Sequence, residues 1–422
     1  MLKKFKGLAI AGVIATAAIA VAGPIFAQDA TLQYSLSRDV REAAEQAQAA
    51  IAQSNFPAAT NFLNQAATAA QTDGDRYVLA TMQLDVANRT FNTAAQVTAI
   101  NALLASPLIG VEQRANLYYH RARISYHAQN SDAARTDLQA AINAGTSNPR
   151  IYVAMASLVD EAGDHAGALT LVDRAFEIHR TAGLATPVDW YRRAISMAQG
   201  LNDVGRISAY GQSMLAEHPA QRNWRDVLIQ HRTAYAADPE AAIDLWRLQD
   251  AAGALTGEFD YRDYARVANG RRLPAEIERI VQAGRANNML DGGNSEIATL
   301  DRGTTAAAQR LSSALPGRAQ AAAAAATGAN AMSAADDYVS LGDYAAAIPL
   351  YRAAIEKGSI DTELANIRLG MALARTGDAA GARAALDQVV GPRASIARLW
   401  RIYVDMPRAT SAPVAQEAAA SE

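Results

Sequence analysis

The stretch that decides the fold lies near the end of the chain, where residues 337–355 read DYVSLGDYAAAIPLYRAAI. The Gly342-Asp343 pair is a turn signal, so the sequence predicts one helix that ends there and a second helix that follows it. In the second helix, Ala347, Tyr351 and Ala354 recur every three or four residues and therefore share one face. The stretch predicts two helices joined by a tight turn.

The same arrangement recurs along the chain at a nearly constant spacing. Gly377-Asp378 lies 35 residues after Gly342-Asp343, and Gly163-Asp164 lies 34 residues after Gln129-Asn130. Small or apolar residues follow these turns in register, at Ala134, Leu138 and Ala141 in one copy, at Ala168, Val172 and Ala175 in the next, and at Ala382 and Leu386 near the C-terminus. Weaker copies surround them. A fixed period of this length indicates a repeat architecture.

The pattern resembles the tetratricopeptide repeat, in which small residues lie where the two helices of a pair touch. The resemblance implies an all-α fold, an α-solenoid of stacked antiparallel helix pairs wound into a right-handed superhelix. One helix pair cannot bury its apolar face alone, so neighbouring pairs stack into a continuous core. Alanine suits such a core because it lets helix axes approach to about 8–10 Å.

The sequence predicts five segments along the 422 residues. These are a signal peptide at 1–27, an N-terminal repeat array at 28–286, an irregular connecting segment at 287–327, a C-terminal repeat pair with a capping helix at 328–406, and a disordered tail at 407–422. The connecting segment has two interpretations, a joint between two arrays or a degenerate repeat with a long loop. We favour the joint slightly.

The N-terminus has the layout of a secretory signal peptide. Lys3, Lys4 and Lys6 precede an uncharged, mainly apolar run from Leu8 to Ala22, and Ala27 ends an acceptable cleavage site. The alternative is an uncleaved membrane anchor, because the run is close to a minimal span. We favour cleavage, and with no second apolar run long enough to span a bilayer we expect a soluble periplasmic protein.

Composition excludes several classes of function. The chain has no cysteine, which rules out thiol catalysis and thiolate metal sites, and its net charge of −3 gives no footprint for nucleic acid. Its six histidines lack the spacing of a helical metal motif, and neither a phosphate loop nor a nucleophile elbow is present. The acidic cluster at Glu258, Asp260 and Asp263 favours a solvated loop over a glycosidase-like carboxylate pair. We therefore expect neither an enzyme, nor a metal, nor a cofactor.

The resemblance also implies a binding site, because in tetratricopeptide proteins the first helix of each pair lines a concave groove that takes peptides or partner helices. Carried over position by position, the groove residues are Asn116, Tyr119, Arg123, Tyr126, His127, Tyr191, Arg192, Trp224, His231 and Tyr235. Tyrosine, tryptophan and arginine are typical of interaction hot spots. The alternative for each side chain is core packing, since a phase error of one residue would turn it inward.

Two functions follow as hypotheses. The first is a periplasmic scaffold or adaptor that binds another envelope protein, or a peptide segment of one, in an assembly or export system. The second is a polysaccharide- or peptidoglycan-binding protein, in which Tyr119, Tyr191 and Trp224 stack on sugar rings. The chaperone-binding members of the family hold a terminal carboxylate with lysines and asparagines that are missing here. That role is therefore not expected.

Overall fold

The computed structural model describes residues 35–290, 293 and 295–406. The predicted signal peptide at 1–27 and the predicted tail at 407–422 lie outside the described residues. Throughout the described part the regular elements are α-helices, and none of them is both long and apolar enough to cross a membrane. The chain divides into two compact units, unit 1 at Met1–Thr186 and unit 2 at Pro187–Glu422.

The described residues of unit 1 form four consecutive helix pairs. They are α1 (Arg38–Ala52) with α2 (Phe56–Ala69), α3 (Asp73–Arg89) with α4 (Thr93–Leu104), α5 (Val111–His127) with α6 (Ser131–Asn143), and α7 (Pro149–Glu161) with α8 (His165–Thr181). Each helix packs on the next through a short loop, and each pair packs on the one that follows it. This is the stacked-pair solenoid that the sequence predicts.

Unit 2 begins in the same way and then continues through helices of unequal length, from 7 to 21 residues. Its helices are α9 (Val188–Gly200), α10 (Val204–Glu217), α11 (Gln221–Ala234), α12 (Pro239–Ala251), α13 (Glu258–Gly270), α14 (Pro274–Ala286), α15 (Ser295–Asp301), α16 (Thr304–Ala324), α17 (Ala329–Leu341), α18 (Tyr344–Lys357), α19 (Thr362–Thr376), α20 (Ala379–Leu386) and α21 (Ala394–Asp405). The predicted all-α fold of stacked helix pairs is therefore confirmed in both units.

The repeat turns have a common physical cause. Gly163 has a φ of 88° and Gly342 a φ of 83°, the left-handed region that glycine adopts without strain. The next residue caps the following helix, and the carboxylate of Asp164 accepts a hydrogen bond of 2.8 Å from the N–H of Gly167. The same cap recurs at Asn55, Asn92, Asn130, Asp203, Asp343 and Asp378. The Gly-Asp pattern in the sequence thus marks a reversal followed by a new helix.

Small residues lie where paired helices meet, as the resemblance implies. Ala168 and Ala347 are completely buried in the helices that follow their turns. At Gly370 a Cβ atom would come within 2.6 Å of the Cγ of Leu386, so this close approach of α19 to α20 requires glycine. Alanine and glycine therefore set the spacing between the helices rather than merely favouring helix formation.

The predicted domain bounds stay predictions. Within the segment at 287–327 the structure describes α15 and α16, and α16 packs on both α14 and α17. The chain divides into compact units after Thr186. Alanine is frequent in α16 and has the highest intrinsic helix propensity, which explains why this stretch is helical.

Unit 2 folds back on itself through its C-terminal helices. Helix α21 packs against α10, α12 and α19, and α19 packs against α12. At the centre of these contacts lies the buried guanidinium of Arg368. It donates to Asp244 on α12 at 3.2 and 3.3 Å and to Asp336 on α17 at 2.7 Å. The neighbouring Arg247 forms two further bonds with Glu276 on α14, at 2.9 and 2.8 Å.

Acid sensitivity of unit 1 is expected at Asp75, which is completely buried. It accepts hydrogen bonds from the N–H groups of Ser37, Gln71 and Thr72 and from the hydroxyl of Ser37, at 2.9 to 3.1 Å. Burial alone raises the pKa of this carboxyl, but the backbone bonds from Thr72, Ser37 and Gln71 outweigh burial and lower it from 3.8 to about 2. The stabilisation is thus complete above pH 4 and is lost as the pH falls toward 2.

We expect Asp75→Asn to lower the free energy of unfolding by about 1–3 kcal/mol at pH 7, because buried donors lose their acceptor. The variant should also lose less stability than the wild type between pH 4 and 2. Urea denaturation followed by circular dichroism at each pH measures both effects. The control is Asp73→Asn, since Asp73 is exposed in the same helical turn. Equal effects of the two substitutions would contradict this assignment.

Removal of Arg368 should strongly destabilise unit 2. Arg368→Met removes the guanidinium that pairs with Asp244 and Asp336, and leaves the buried Asp244 with Arg247 as its remaining ion-pair partner among the described residues. Breaking a buried pair by removing one partner typically costs about 3–5 kcal/mol. Tryptophan fluorescence during urea denaturation reports this unit, because all four tryptophans of the chain lie in it. The matched control, Arg266→Met, removes an exposed pair with Glu296 and should leave the midpoint unchanged. If Arg368→Met and Arg266→Met had the same urea midpoint, the network of Arg368 would not stabilise unit 2.

Candidate functional site

The predicted groove residues of unit 1 lie together on helix α5. Arg123, Tyr126 and His127 are exposed, with 42% of Tyr126 accessible, whereas Asn116 and Tyr119 are half-buried. Their spacing of three or four residues places them on neighbouring turns of one helix. We call Tyr119, Arg123, Tyr126 and His127 the α5 face. The structure therefore places these four residues where a partner can reach them.

The α5 face carries a positive charge that no described acidic side chain neutralises. Arg123 forms no ion pair with any acidic side chain in the described part of the chain. The pKa of the neighbouring His120 is lowered, mainly by partial burial and to a smaller extent by the charge of Arg123. A free guanidinium between tyrosine and histidine rings can take a carboxylate bidentately while the rings supply apolar contact.

Hydrogen bonds fix the two ends of this surface. The Tyr126 hydroxyl donates to Glu161 on α7 at 2.8 Å. Asn116 accepts a hydrogen bond of 2.8 Å from the side chain of Asn148, just before α7 begins. Asn116 therefore joins consecutive repeats as well as bordering the face, and the edge of Tyr126 packs against His127 with ring centroids 6.2 Å apart.

Two of the aromatic groove residues predicted in unit 2 belong to the core instead. Trp224 is completely buried, and its indole N–H points at the Met406 sulfur at 3.3 Å. Tyr191 is 3% exposed, and its hydroxyl donates to Glu217 at 2.9 Å. Their assignment to a surface groove is wrong in this structure because Met406, just beyond α21, lies against Trp224 and α10 covers Tyr191. The alternative of core packing holds for both.

Arg192 occupies an intermediate position. It remains partly accessible, and its guanidinium donates to Asn223 at 3.0 Å and to Asp189 at 3.3 Å. It links α9 to α11 and has less freedom than Arg123 to bind a partner. Its proposed contact with a ligand stays a prediction.

His231 and Tyr235 line a cavity that is partly open to solvent. The cavity measures about 550 Å³ and is bordered by α10, α11 and α21. The sequence did not indicate its other polar walls, Ser208 and Gln212 on α10 and Ser395 and Arg398 on α21. They are separated by more than 180 residues, and no local pattern joins them. Only the return of α21 brings them together.

The acidic cluster near Asp260 is structural. Arg225 donates two hydrogen bonds to Asp260, at 2.8 and 3.0 Å, and the N–H of Thr256 donates a third at 3.0 Å. Burial raises the pKa of Asp260, but the bonds from Arg225 and Thr256 outweigh it and hold the pKa below its usual range. A glycosidase acid needs a raised pKa, so this arrangement does not favour that chemistry. Within the described residues no group of histidine and carboxylate side chains could hold a metal ion.

Comparison with known proteins gives partial likenesses of fold. No protein-family model and no curated protein matches this chain. A tetratricopeptide repeat protein from Parabacteroides merdae is 12% identical with a TM-score of 0.35, over 64% of this chain and 100% of that one. The MamA protein is 13% identical with a TM-score of 0.34, over 43% and 92% of the two chains. The TPR2AB domain of yeast Sti1, in a structure titled as its complex with pHSP90, is 16% identical with a TM-score of 0.26, over 68% and 98%. These TM-scores lie below 0.5, so the likenesses carry no argument about what this chain binds.

The different burial of the two sets of groove residues can be tested by stability. We expect Trp224→Ala to lower the free energy of unfolding by about 3–5 kcal/mol, because it empties a large core position. The double variant Arg123→Ala, Tyr126→Ala should change it by about 0.5 kcal/mol or less, since both side chains are exposed. Urea denaturation followed by circular dichroism measures both. A double variant as unstable as Trp224→Ala would show that the α5 face is part of the core.

Proposed function

We propose that this protein is a scaffold for protein–protein interaction, and that its α5 face binds a segment of another protein. The observation that carries the proposal is the guanidinium of Arg123, exposed and without an ion pair among the described residues, beside Tyr126 and His127. Arginine and tyrosine are enriched at the energetic centres of interfaces. The stacked helix pairs hold these side chains on a rigid element, which lowers the entropy cost of binding.

The chemistry of the face indicates the kind of segment that fits. An exposed guanidinium without an ion pair can bind a carboxylate bidentately, from an acidic side chain or from the end of a chain. Tyr119 and Tyr126 offer flat apolar surface on either side of that charge. The bound segment would therefore carry an acidic residue next to an apolar or aromatic one.

The compartment is part of the same proposal. The basic start, the apolar run from Leu8 to Ala22 and the small residues before Gln28 support export of the chain. The partner would then be an envelope protein, and the role would be that of an adaptor in assembly or export. The absence of cysteine is consistent with a fold that needs no disulfide in an oxidising compartment.

The polysaccharide hypothesis loses most of its support. It relies on Tyr119, Tyr191 and Trp224 to stack on sugar rings, but Tyr191 and Trp224 are buried. One half-buried tyrosine does not form an aromatic platform for a glycan strand. No observation favours this function over peptide binding.

Site-specific crosslinking tests the proposal. A photoreactive phenylalanine analogue at position 126 should join the full-length protein to one envelope protein in cells of its own source. The same analogue at the exposed Gln139 on α6 should not. Arg123→Glu should reduce the crosslink at position 126 at least about tenfold, because it reverses the charge that holds the carboxylate.

The outcomes of the controls distinguish a wrong assignment of the binding face from a wrong function. Equal crosslinking from positions 126 and 139 would show non-specific contact and would contradict the proposal. A partner captured from position 126 but unaffected by Arg123→Glu would overturn the assignment of the carboxylate to Arg123. A glycan adduct without any protein adduct would restore the polysaccharide hypothesis.

A further inference from the structure

The cavity between α10, α11 and α21 of unit 2 has the size of a small-molecule site. Its volume of about 550 Å³ lies within the range of about 300–1,000 Å³ that such sites usually have. Apolar atoms of Val204, Ile207, Ala209 and Ala234 form much of its wall. A few polar groups from three different helices project into the cavity beside this apolar wall. This arrangement is typical of a ligand pocket.

Hydrogen bonds hold the polar groups of the cavity in place. The ring of His231, which is 4% exposed, lies 3.0 Å from the carbonyl of Val227 through Nδ1 and 3.0 Å from the hydroxyl of Ser208 through Nε2. A carbonyl can only accept, so Nδ1 carries the proton and Nε2 accepts from Ser208. The amide of Gln212 donates to the same hydroxyl at 2.9 Å. These groups are preorganised and uncharged.

Hydrogen bonds also tie α21 to the other two walls. The hydroxyl of Tyr235 donates to the carbonyl of Pro392 at 2.6 Å and lies 2.8 Å from the hydroxyl of Ser395. On the other side, Gln212 accepts from Nε of Arg398 at 3.2 Å. The cavity therefore exists only when α21 is docked on α10 and α11.

The formal charge of the cavity is a single positive one. Among the described residues that line the cavity, Arg398 is the one charged side chain and none is a carboxylate. Arg398 forms no ion pair with any acidic side chain in the described residues, and its terminal nitrogens have no protein acceptor there. Burial lowers the pKa of His231, and the charge of Arg398 lowers it to a smaller extent. The hydrogen bond to Val227 raises the pKa but does not offset the lowering. The imidazole is thus neutral at neutral pH and adds no second charge.

We propose that this cavity binds a small organic carboxylate, with Arg398 as its counter-ion and the apolar wall around Ile207 and Ala234 in contact with the rest of the molecule. One guanidinium without an ion pair balances the single charge of a carboxylate, whereas a phosphate dianion would keep one negative charge without a counter-ion in the described lining. This site goes beyond the proposed scaffold function, since it lies in unit 2 and shares no residue with the α5 face. Because its walls include α21, the ligand stabilises the docked C-terminal helix by mass action.

Binding is measured on the full-length protein with benzoate and N-acetylphenylalanine as carboxylate probes. The matching amides, inorganic phosphate and a ten-residue peptide with a free C-terminus serve as comparison ligands. Isothermal titration gives the affinity, and the thermal midpoint followed by tryptophan fluorescence reports unit 2, where Trp400 lies on α21. We expect saturable binding of at least one carboxylate probe, a rise in the midpoint with it, and no binding of the amides.

The decisive variant is Arg398→Gln, with Arg401→Gln as its control. Both remove one positive charge from α21, but Arg401 pairs with Asp387 and does not line the cavity. Arg398→Gln should weaken carboxylate binding at least about tenfold while the variant stays folded, and Arg401→Gln should leave the affinity unchanged.

Several results would overturn the proposal. These are the absence of saturable binding of both carboxylates, equal affinity in Arg398→Gln and wild type, or tighter binding of phosphate than of carboxylate. Binding of the peptide without binding of either small carboxylate would also overturn it, because the cavity would then be a peptide site. None of these outcomes affects the crosslink expected at position 126, so the two proposals fail independently.

Discussion

The architecture of unit 2 depends on one buried ion network. Arg368 on α19 is 3% exposed and contacts acidic side chains from α12 and α17, while Arg247 beside it is held by Glu276 from α14. Taking these charges out of water is costly, and the cost is offset only where each guanidinium meets its partners in good geometry. Burial raises the pKa of Glu276, but the charge and hydrogen bonds of Arg247, the charge of Arg279 and the hydrogen bond from Tyr264 together outweigh burial and hold that pKa below its usual range. The network therefore tolerates one arrangement of the C-terminal helices, the one in which α19 lies against α12.

That constraint decides where the unit is open and where it is closed. With α19 fixed on α12, the short helix α20 delivers α21 onto α10 and α12. Met406, just beyond α21, then lies against the indole of Trp224. In an open stack of helix pairs, the surface of α11 that carries Trp224 would line a groove, but here it is part of the core. The part of this surface that α21 does not fill is the cavity lined by His231 and Tyr235. In unit 1 no such return occurs among the described residues of α1 to α8, so the α5 face keeps its exposed side chains.

The two surfaces differ in chemistry as well as in access. The α5 face is a strip of rings around one exposed guanidinium and suits an extended segment of chain. The cavity is bordered by three helices and partly open to solvent, has fixed uncharged hydrogen-bonding groups and one cation, and suits a compact molecule. Scaffold function and small-molecule binding can therefore be separated by substitution, because the residues that carry them lie in different units.

Much of the fold was determined by the sequence alone. Gly-Asp turns, N-terminal caps and small residues at a spacing of 34 or 35 residues act within one helix pair and its neighbour, so they are readable locally and predicted the stacked pairs correctly. The same reasoning placed Asn116, Tyr119, Arg123, Tyr126 and His127 on one accessible helix. It failed for Trp224 and Tyr191, and it missed Arg398 and Gln212, because their environment is made by residues far away in the chain. Only the tertiary structure decided which groove stayed open. The buried charge network and the return of α21 depend on contacts between residues more than 120 positions apart, and such contacts produce no periodic pattern in the sequence.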